Sequence, residues 1–181
     1  IDGAGLDDFV ISEGVNAFVI FGKAGQWANF NIYSGTVSET DNSVAVTKIT
    51  PDADATGNFQ NIYSSLGDIN GDGFADILIA GNPTDNYGLK DNGGVYVLFG
   101  AASDELNPDQ WDSDVSLTDL AANNQGFRIT GALDFDNLGN NSWTGVGDIN
   151  GDGFDDFIVQ ASGDAEGDDN GTAGTGSSYL I

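Results

Sequence analysis

The stretch Leu66-Gly67-Asp68-Ile69-Asn70-Gly71-Asp72-Gly73-Phe74-Ala75-Asp76-Ile77-Leu78-Ile79 returns 80 residues later as Val146-Gly147-Asp148-Ile149-Asn150-Gly151-Asp152-Gly153-Phe154-Asp155-Asp156-Phe157-Ile158-Val159. Each copy pairs a polar segment of the form Asp-x-Asn-x-Asp-Gly-x-x-Asp, Asp68–Asp76 and Asp148–Asp156, with an apolar run that follows at once. A partial third copy, Ile1-Asp2-Gly3-Ala4-Gly5-Leu6-Asp7-Asp8-Phe9-Val10-Ile11, lies 68 residues before the middle one. Self-similarity at such a period marks a repeat architecture, in which each unit is one supersecondary element.

A second element follows each loop. Ala17-Phe18-Val19-Ile20-Phe21-Gly22 matches Val95-Tyr96-Val97-Leu98-Phe99-Gly100, and Ser178-Tyr179-Leu180-Ile181 opens a third instance. A further strand is expected at Gly126–Gly131, with its counterpart one repeat earlier at Ser43–Ile49. Short apolar and β-branched runs bounded by Gly, Asn and Asp are the signature of strands and turns. Helical periodicity is nearly absent, with one short turn expected at Leu117–Ala122. The fold class is therefore all-β, a single repeat region over residues 1–181, with approximate repeats at 1–54 (partial), 55–133 and 134–181 (partial). The polar stretches Ala102–Ser113 and Ala165–Ser177 read as loop insertions, the second overlapping a low-complexity segment at Asp164–Gly176.

The repeated loop has the chemistry of a calcium site. Ca²⁺ is a hard cation that takes six to eight oxygen ligands at about 2.3–2.6 Å, and a short loop can supply them from alternate positions as it wraps the ion. In the middle copy the donors are Asp68, Asn70, Asp72, the carbonyl of Phe74, and Asp76; in the last they are Asp148, Asn150, Asp152, the carbonyl of Phe154, and Asp156. Carboxylate and amide oxygens disfavour zinc or copper. An EF-hand is excluded, because its loop needs a Glu at position 12 between flanking helices, and that position here is Ile79 or Val159 inside a β-type run. An isolated Asn-Gly-Asp-Gly is an ordinary turn; two full matches in equivalent repeats favour the ion. The first copy keeps only Asp2 and Asp8 as side-chain donors, since Ala4 replaces a carboxylate, and it is expected to be vacant or weak.

Composition narrows the function classes. Four basic residues face 29 acidic ones, a net charge of −25. Such a surface repels nucleic acid and anionic lipid. Two bound Ca²⁺ ions would change −25 only to −21, so metal explains particular carboxylates and not the excess. The chain has no Cys and no His, which removes a disulfide framework, thiolate metal sites and the commonest general base. No apolar run is long enough for a transmembrane helix. No Gly-x-Ser-x-Gly or other nucleophile motif occurs, and no catalytic constellation is expected. Trp27, Trp111 and Trp143 could stack on sugars, though such residues more often fill a core. Asn140-Asn141-Ser142 and Asn170-Gly171-Thr172 are glycosylation sequons of the kind an Asn-rich chain contains by chance.

The Asp-Ile-Asn-Gly-Asp-Gly-Phe-x-Asp loops, the apolar strand after each, and Val95–Gly100 together resemble the FG-GAP repeat of integrin-α-like β-propellers, including bacterial surface proteins. The resemblance spans about two and a half repeats and implies four-stranded blades, each with a calcium loop between two strands. It implies a non-enzymatic, calcium-binding module of an extracellular or cell-surface protein, with an adhesive or structural role. Expected partners are protein or carbohydrate at a cell surface, or copies of the chain itself. A propeller of this family needs more blades than are present, and the sequence starts inside one loop and stops before a Phe-Gly. An incomplete propeller is therefore expected, either as a piece of a longer protein or as a subunit of an extracellular fibre completed across chains. An accessory domain of a secreted enzyme is the remaining alternative.

Overall fold

The apolar runs after each loop become strands, and the middle one is buried on both faces. The structure is a computed structural model, and it describes residues 5–13, 16–22, 24–25, 30–33, 36–39, 46–50, 62–81, 85–86, 89–102, 115–163 and 176–181. The middle repeat forms a four-stranded antiparallel sheet. Its strands are β6 (Ile62–Gly67), β7 (Asp76–Gly81), β10 (Gly94–Leu98) and β12 (Gly126–Thr130), in the spatial order β12-β10-β7-β6. The repeated loop Asp68–Ala75 joins β6 to β7.

The first repeat builds an equivalent sheet from β1 (Phe9–Glu13), β2 (Asn16–Ile20) and β5 (Val46–Thr50). Register confirms the repeat: Ile11 pairs with Phe18 in the first sheet as Ile79 pairs with Tyr96 in the second. The last repeat supplies β13 (Leu138–Gly147), β14 (Asp156–Ala161) and β15 (Ser177–Leu180), where Val159 pairs with Tyr179 at the same register. Two small hairpins stand apart from these sheets: β3 (Phe30–Tyr33) with β4 (Thr36–Glu39), and β8 (Asp85–Asn86) with β9 (Leu89–Lys90). Among the described residues there is no helix and no closed barrel, so the all-β expectation holds.

Two sequence readings are refined. The strand at Gly126–Gly131 forms as β12, and its counterpart forms over Val46–Thr50, residues 43–45 lying outside the described ones; both pair with the Phe-Gly strand of their own repeat. The fourth place in the first sheet, however, goes to β11 (Val115–Ser116), which pairs parallel to β5. Leu117–Ala122 forms turns, not helix; Leu117 and Leu120 are buried, and the turn closes through Asn123 N–H to the Asp119 carbonyl at 2.9 Å. The parallel pairing escapes sequence patterning because two residues carry no periodicity.

Alternation along β7 and β10 sends successive side chains to opposite faces. Ile77, Ile79, Tyr96 and Leu98 pack with Ala17, Val19, Phe21 and Ile49 of the first sheet. Leu78, Ala80, Val95 and Val97 pack with Phe157, Val159 and Ala161 of the last. The middle sheet is thus covered on both sides by its neighbours, which accounts for an apolar run without polar alternation. Its one cationic side chain in this region, Arg128, lies over the Tyr96 ring at 5.2 Å from the centroid. Trp143 packs against the second cluster as partly buried core; Trp27, Trp111, Asn170–Thr172 and most of both expected insertions lie outside the described residues.

The order of the sheets makes a measurable asymmetry. Leu78 is fully buried between sheets, whereas Ile158, its equivalent in the last repeat, is only partly buried. Leu78→Ala is expected to cost about 2–5 kcal/mol, the range for a large-to-small change in a packed core, and Ile158→Ala clearly less. Denaturant unfolding of the two variants, with unchanged m-values, checks the order.

Candidate functional site

Each repeated loop leaves a strand, winds tightly, and enters the next strand through a buried aspartate. Gly71 and Gly73 take φ of +78° and +94°, and Gly151 and Gly153 take +79° and +94°, so both loops follow one path. These are left-handed conformations that a Cβ disfavours, which explains Gly at the fourth and sixth positions.

The winding is held by aspartate side chains accepting from the loop's own backbone. Asp68 Oδ1 accepts from the N–H groups of Gly71 (2.7 Å) and Asp72 (3.1 Å), and Oδ2 accepts from Gly73 (2.8 Å). Asn70 Oδ1 accepts from Asp72 N–H at 2.9 Å, and Asp72 Oδ1 from Phe74 N–H at 2.9 Å. The last loop repeats this set. Asp148 accepts from Gly151 (2.6 Å), Asp152 (3.1 Å) and Gly153 (2.9 Å), Asn150 from Asp152 (2.9 Å), and Asp152 from Phe154 (2.9 Å). Short polar side chains that bond to nearby backbone N–H groups are what Asp and Asn provide in turns.

The ninth position does something the sequence reading did not foresee. Asp76 is fully buried, and its two oxygens accept from different elements: Oδ2 from Ile69 N–H at 2.9 Å, Oδ1 from Gly100 N–H at 2.8 Å. It therefore ties the loop to the Gly of the Phe-Gly pair at the end of the neighbouring strand. The first repeat repeats the clasp, with Gly22 N–H donating to Asp8 Oδ1 at 2.7 Å. Asp156, also buried, accepts from Ile149 N–H at 2.9 Å. The signal was present as the pairing of a ninth-position Asp with a downstream Phe-Gly in the first two repeats, but nothing in the spacing said that they touch.

The candidate donors of each loop are thus brought into one turn, and all are oxygen, the donor chemistry that suits a hard cation. Asn70 Nδ2 donates to Asp72 Oδ2 at 2.9 Å, and Asn150 Nδ2 meets Asp156 Oδ1 at 3.5 Å, so neighbouring donors are engaged with each other. Among the described residues, no group of three or more acidic side chains is gathered closely enough to hold an ion as it stands. Asp2 lies outside the described residues, while Asp8 is placed in its clasp to Gly22.

Compared with known families, residues 64–98 match the FG-GAP repeat. The chain carries an FG-GAP repeat. The matched segment spans most of β6, the whole middle loop, β7 and β10, so it includes the clasping Asp76 and stops just short of Gly100. No curated protein sequence matches the chain. No helix among the described residues is long and apolar enough to cross a membrane.

Burial pushes the Asp76 carboxyl up to about 6; the Gly100 and Ile69 N–H groups oppose that rise, and the nearby Asp72 and Asp68 charges add to it. The folded chain therefore releases this proton later than the unfolded chain, whose value is 3.8. The Asp76 contribution to stability falls as pH rises from about 4 to about 6 and is level above that. A carbon-detected NMR titration of the calcium-free protein is expected to show the Asp76 carboxyl changing with a midpoint near 6, and the Ile69 and Gly100 amides following the same curve.

Proposed function

We propose that this chain is a calcium-stabilised, non-enzymatic structural or adhesive module of an extracellular or cell-surface protein. The observation that carries the reading is the identical wrap of the two loops, at the same place in successive sheets, around the same sequence of oxygen donors. Asp68, Asn70, Asp72, the Phe74 carbonyl and Asp76 would hold one ion; Asp148, Asn150, Asp152, the Phe154 carbonyl and Asp156 would hold the other. FG-GAP repeats typically occur in extracellular or cell-surface proteins, which supports the location. The lack of His and Cys, with no nucleophile motif, supports a role without catalysis of its own.

In this reading the ion acts on stability. Without a cation, each loop holds three aspartates, and backbone N–H groups with one Asn side-chain amide are the donors that offset their repulsion. Calcium supplies the missing positive charge, and it must part the Asn70 amide from the Asp72 carboxylate as it enters. Because the ion binds the wound loop and not the unfolded chain, binding energy becomes folding energy. At a calcium concentration about 100 times the dissociation constant, each site adds about 2.7 kcal/mol. For a chain of this size, two such sites raise the melting temperature by about 15 °C. Scanning calorimetry in calcium and in EDTA measures this shift. The paired variant Asp72→Ala with Asp152→Ala is expected to remove most of it, and equal melting temperatures in the two buffers for the unaltered chain would sink the reading.

A specific exposure favours a second reading, a subunit that adds copies of itself. Ile149 and Leu180 are 57% and 56% exposed, although their equivalents Ile69 and Val97 in the middle repeat pack against the next sheet. A second copy laid against β14 and β15 would cover them. Sedimentation of the whole chain at rising concentration is then expected to show head-to-tail growth; a single monomeric species up to high concentration rejects it.

A further inference from the structure

The two loops are in contact, and one side of that contact is a residue that takes no part in the winding bonds described above for its own loop. Asp155, at the eighth position of the last loop, reaches across to the first residue of the middle loop. Its Oδ2 accepts from Asp68 N–H at 2.8 Å, and its own N–H donates to the Asp68 carbonyl at 2.9 Å. Asp68 is thereby held on both sides of its backbone by one residue 87 positions later in the chain. The approach is close enough that a Cβ at Gly67 would overlap Asp155 Oδ2. Beside it, the Phe154 ring covers Gly71, where a Cβ would lie 2.6 Å from Cε1.

This contact is not a repeat-wide feature. The eighth position of the middle loop is Ala75, which has no carboxylate to offer a neighbour. Asp155 is therefore available for one task, and its partner is the residue whose carboxylate organises the middle loop through the N–H groups of Gly71, Asp72 and Gly73.

We propose that Asp155 is a positioning residue for the cation site of the neighbouring loop, and that it couples calcium binding in the two loops. The inference rests on the calcium reading above. Holding the Asp68 backbone from both sides fixes where its carboxylate points before an ion arrives, which lowers the ordering cost of binding. Asp155 in turn lies between Phe154 and Asp156, two candidate donors of the last loop. An ion there fixes the backbone on either side of Asp155 and stiffens its hold on Asp68. Coupling of this kind is reciprocal, so occupancy of the middle loop favours the last loop as well.

Site-resolved NMR tests this, with the Gly73 and Gly153 amides of the full chain reporting calcium binding to each loop separately. The expected result for Asp155→Ala is about ten-fold weaker calcium binding in the middle loop, as the loss of one hydrogen bond to a charged group implies, with the last loop changed by less than about three-fold. Asp155→Asn keeps an oxygen acceptor at the same place and is expected to stay near the unaltered chain in both loops. Asp155→Ser, too short to reach Asp68, replaces the alanine variant if that one does not fold. Unchanged binding in the middle loop overturns the proposal. Equal weakening of both loops by Asp155→Ala and Asp155→Asn also overturns it, because that is the signature of a lost charge and not of a lost tether. If neither amide responds to calcium in the unaltered chain, the calcium reading fails and this inference falls with it; the other two outcomes leave that reading standing.

Discussion

A buried carboxylate with two backbone partners, Asp76, organises the middle repeat. Asp76 accepts from Ile69 N–H at the start of the loop and from Gly100 N–H beyond the end of β10. A buried N–H without a partner costs about 1–3 kcal/mol, so both donors need this acceptor once the sheets close over them. The arrangement has an electrostatic cost, visible in the raised Asp76 value. That cost makes sense if the carboxylate closes the loop onto the sheet: one side chain sets the distance between loop, β7 and β10. Asp8 and Gly22 show the same bond in a repeat whose loop has lost a carboxylate at Ala4. The clasp is therefore separable from the full donor set.

From this clasp follows the packing. β7 starts at the buried aspartate, so its register against β10 is fixed, and with it the faces to which Ile77 and Leu78 point. A shift by one residue would exchange the two faces along the whole strand. Because sheets cover both faces, such a shift would not expose apolar groups as it would in a half-buried sheet. Something other than hydrophobicity must then choose the register, and the Asp76–Gly100 bond at one end of the β7–β10 pair is suited to do so.

The repeats, the strands and the all-β class were legible because they rest on local pattern: paired apolar runs, Gly at positions of positive φ, and a copy 80 residues away. The winding of the two loops was legible for the same reason, since Asp, Asn and Gly recur at the same positions in both. What the sequence concealed is every contact between elements distant in the chain. Asp76 reads as a ninth ligand and not as a clasp, because Gly100 lies 24 residues away. Asp155 shows no role in the sequence, because its partner Asp68 belongs to another repeat. The parallel pairing of Val115 with Ile49 is hidden likewise: a two-residue strand has no pattern to betray it.

These concealed contacts change how the loops are to be understood. Read from sequence, they are separate clips, one per repeat. In the folded chain the last loop lies against the middle one through Phe154 on Gly71 and Asp155 on Asp68, so the loops form one continuous edge running across two sheets. Glycine serves both purposes at once: Gly71 permits the left-handed turn of its own loop and leaves room for its neighbour's ring. Any charge that enters one loop therefore acts on a backbone shared with the next. The pronounced acidity of the chain sharpens the point. Carboxylates placed side by side along such an edge repel in the absence of cations. Asp155, which joins the adjacent loops, is itself one of those carboxylates, so the contact that shapes the edge also adds to its negative charge.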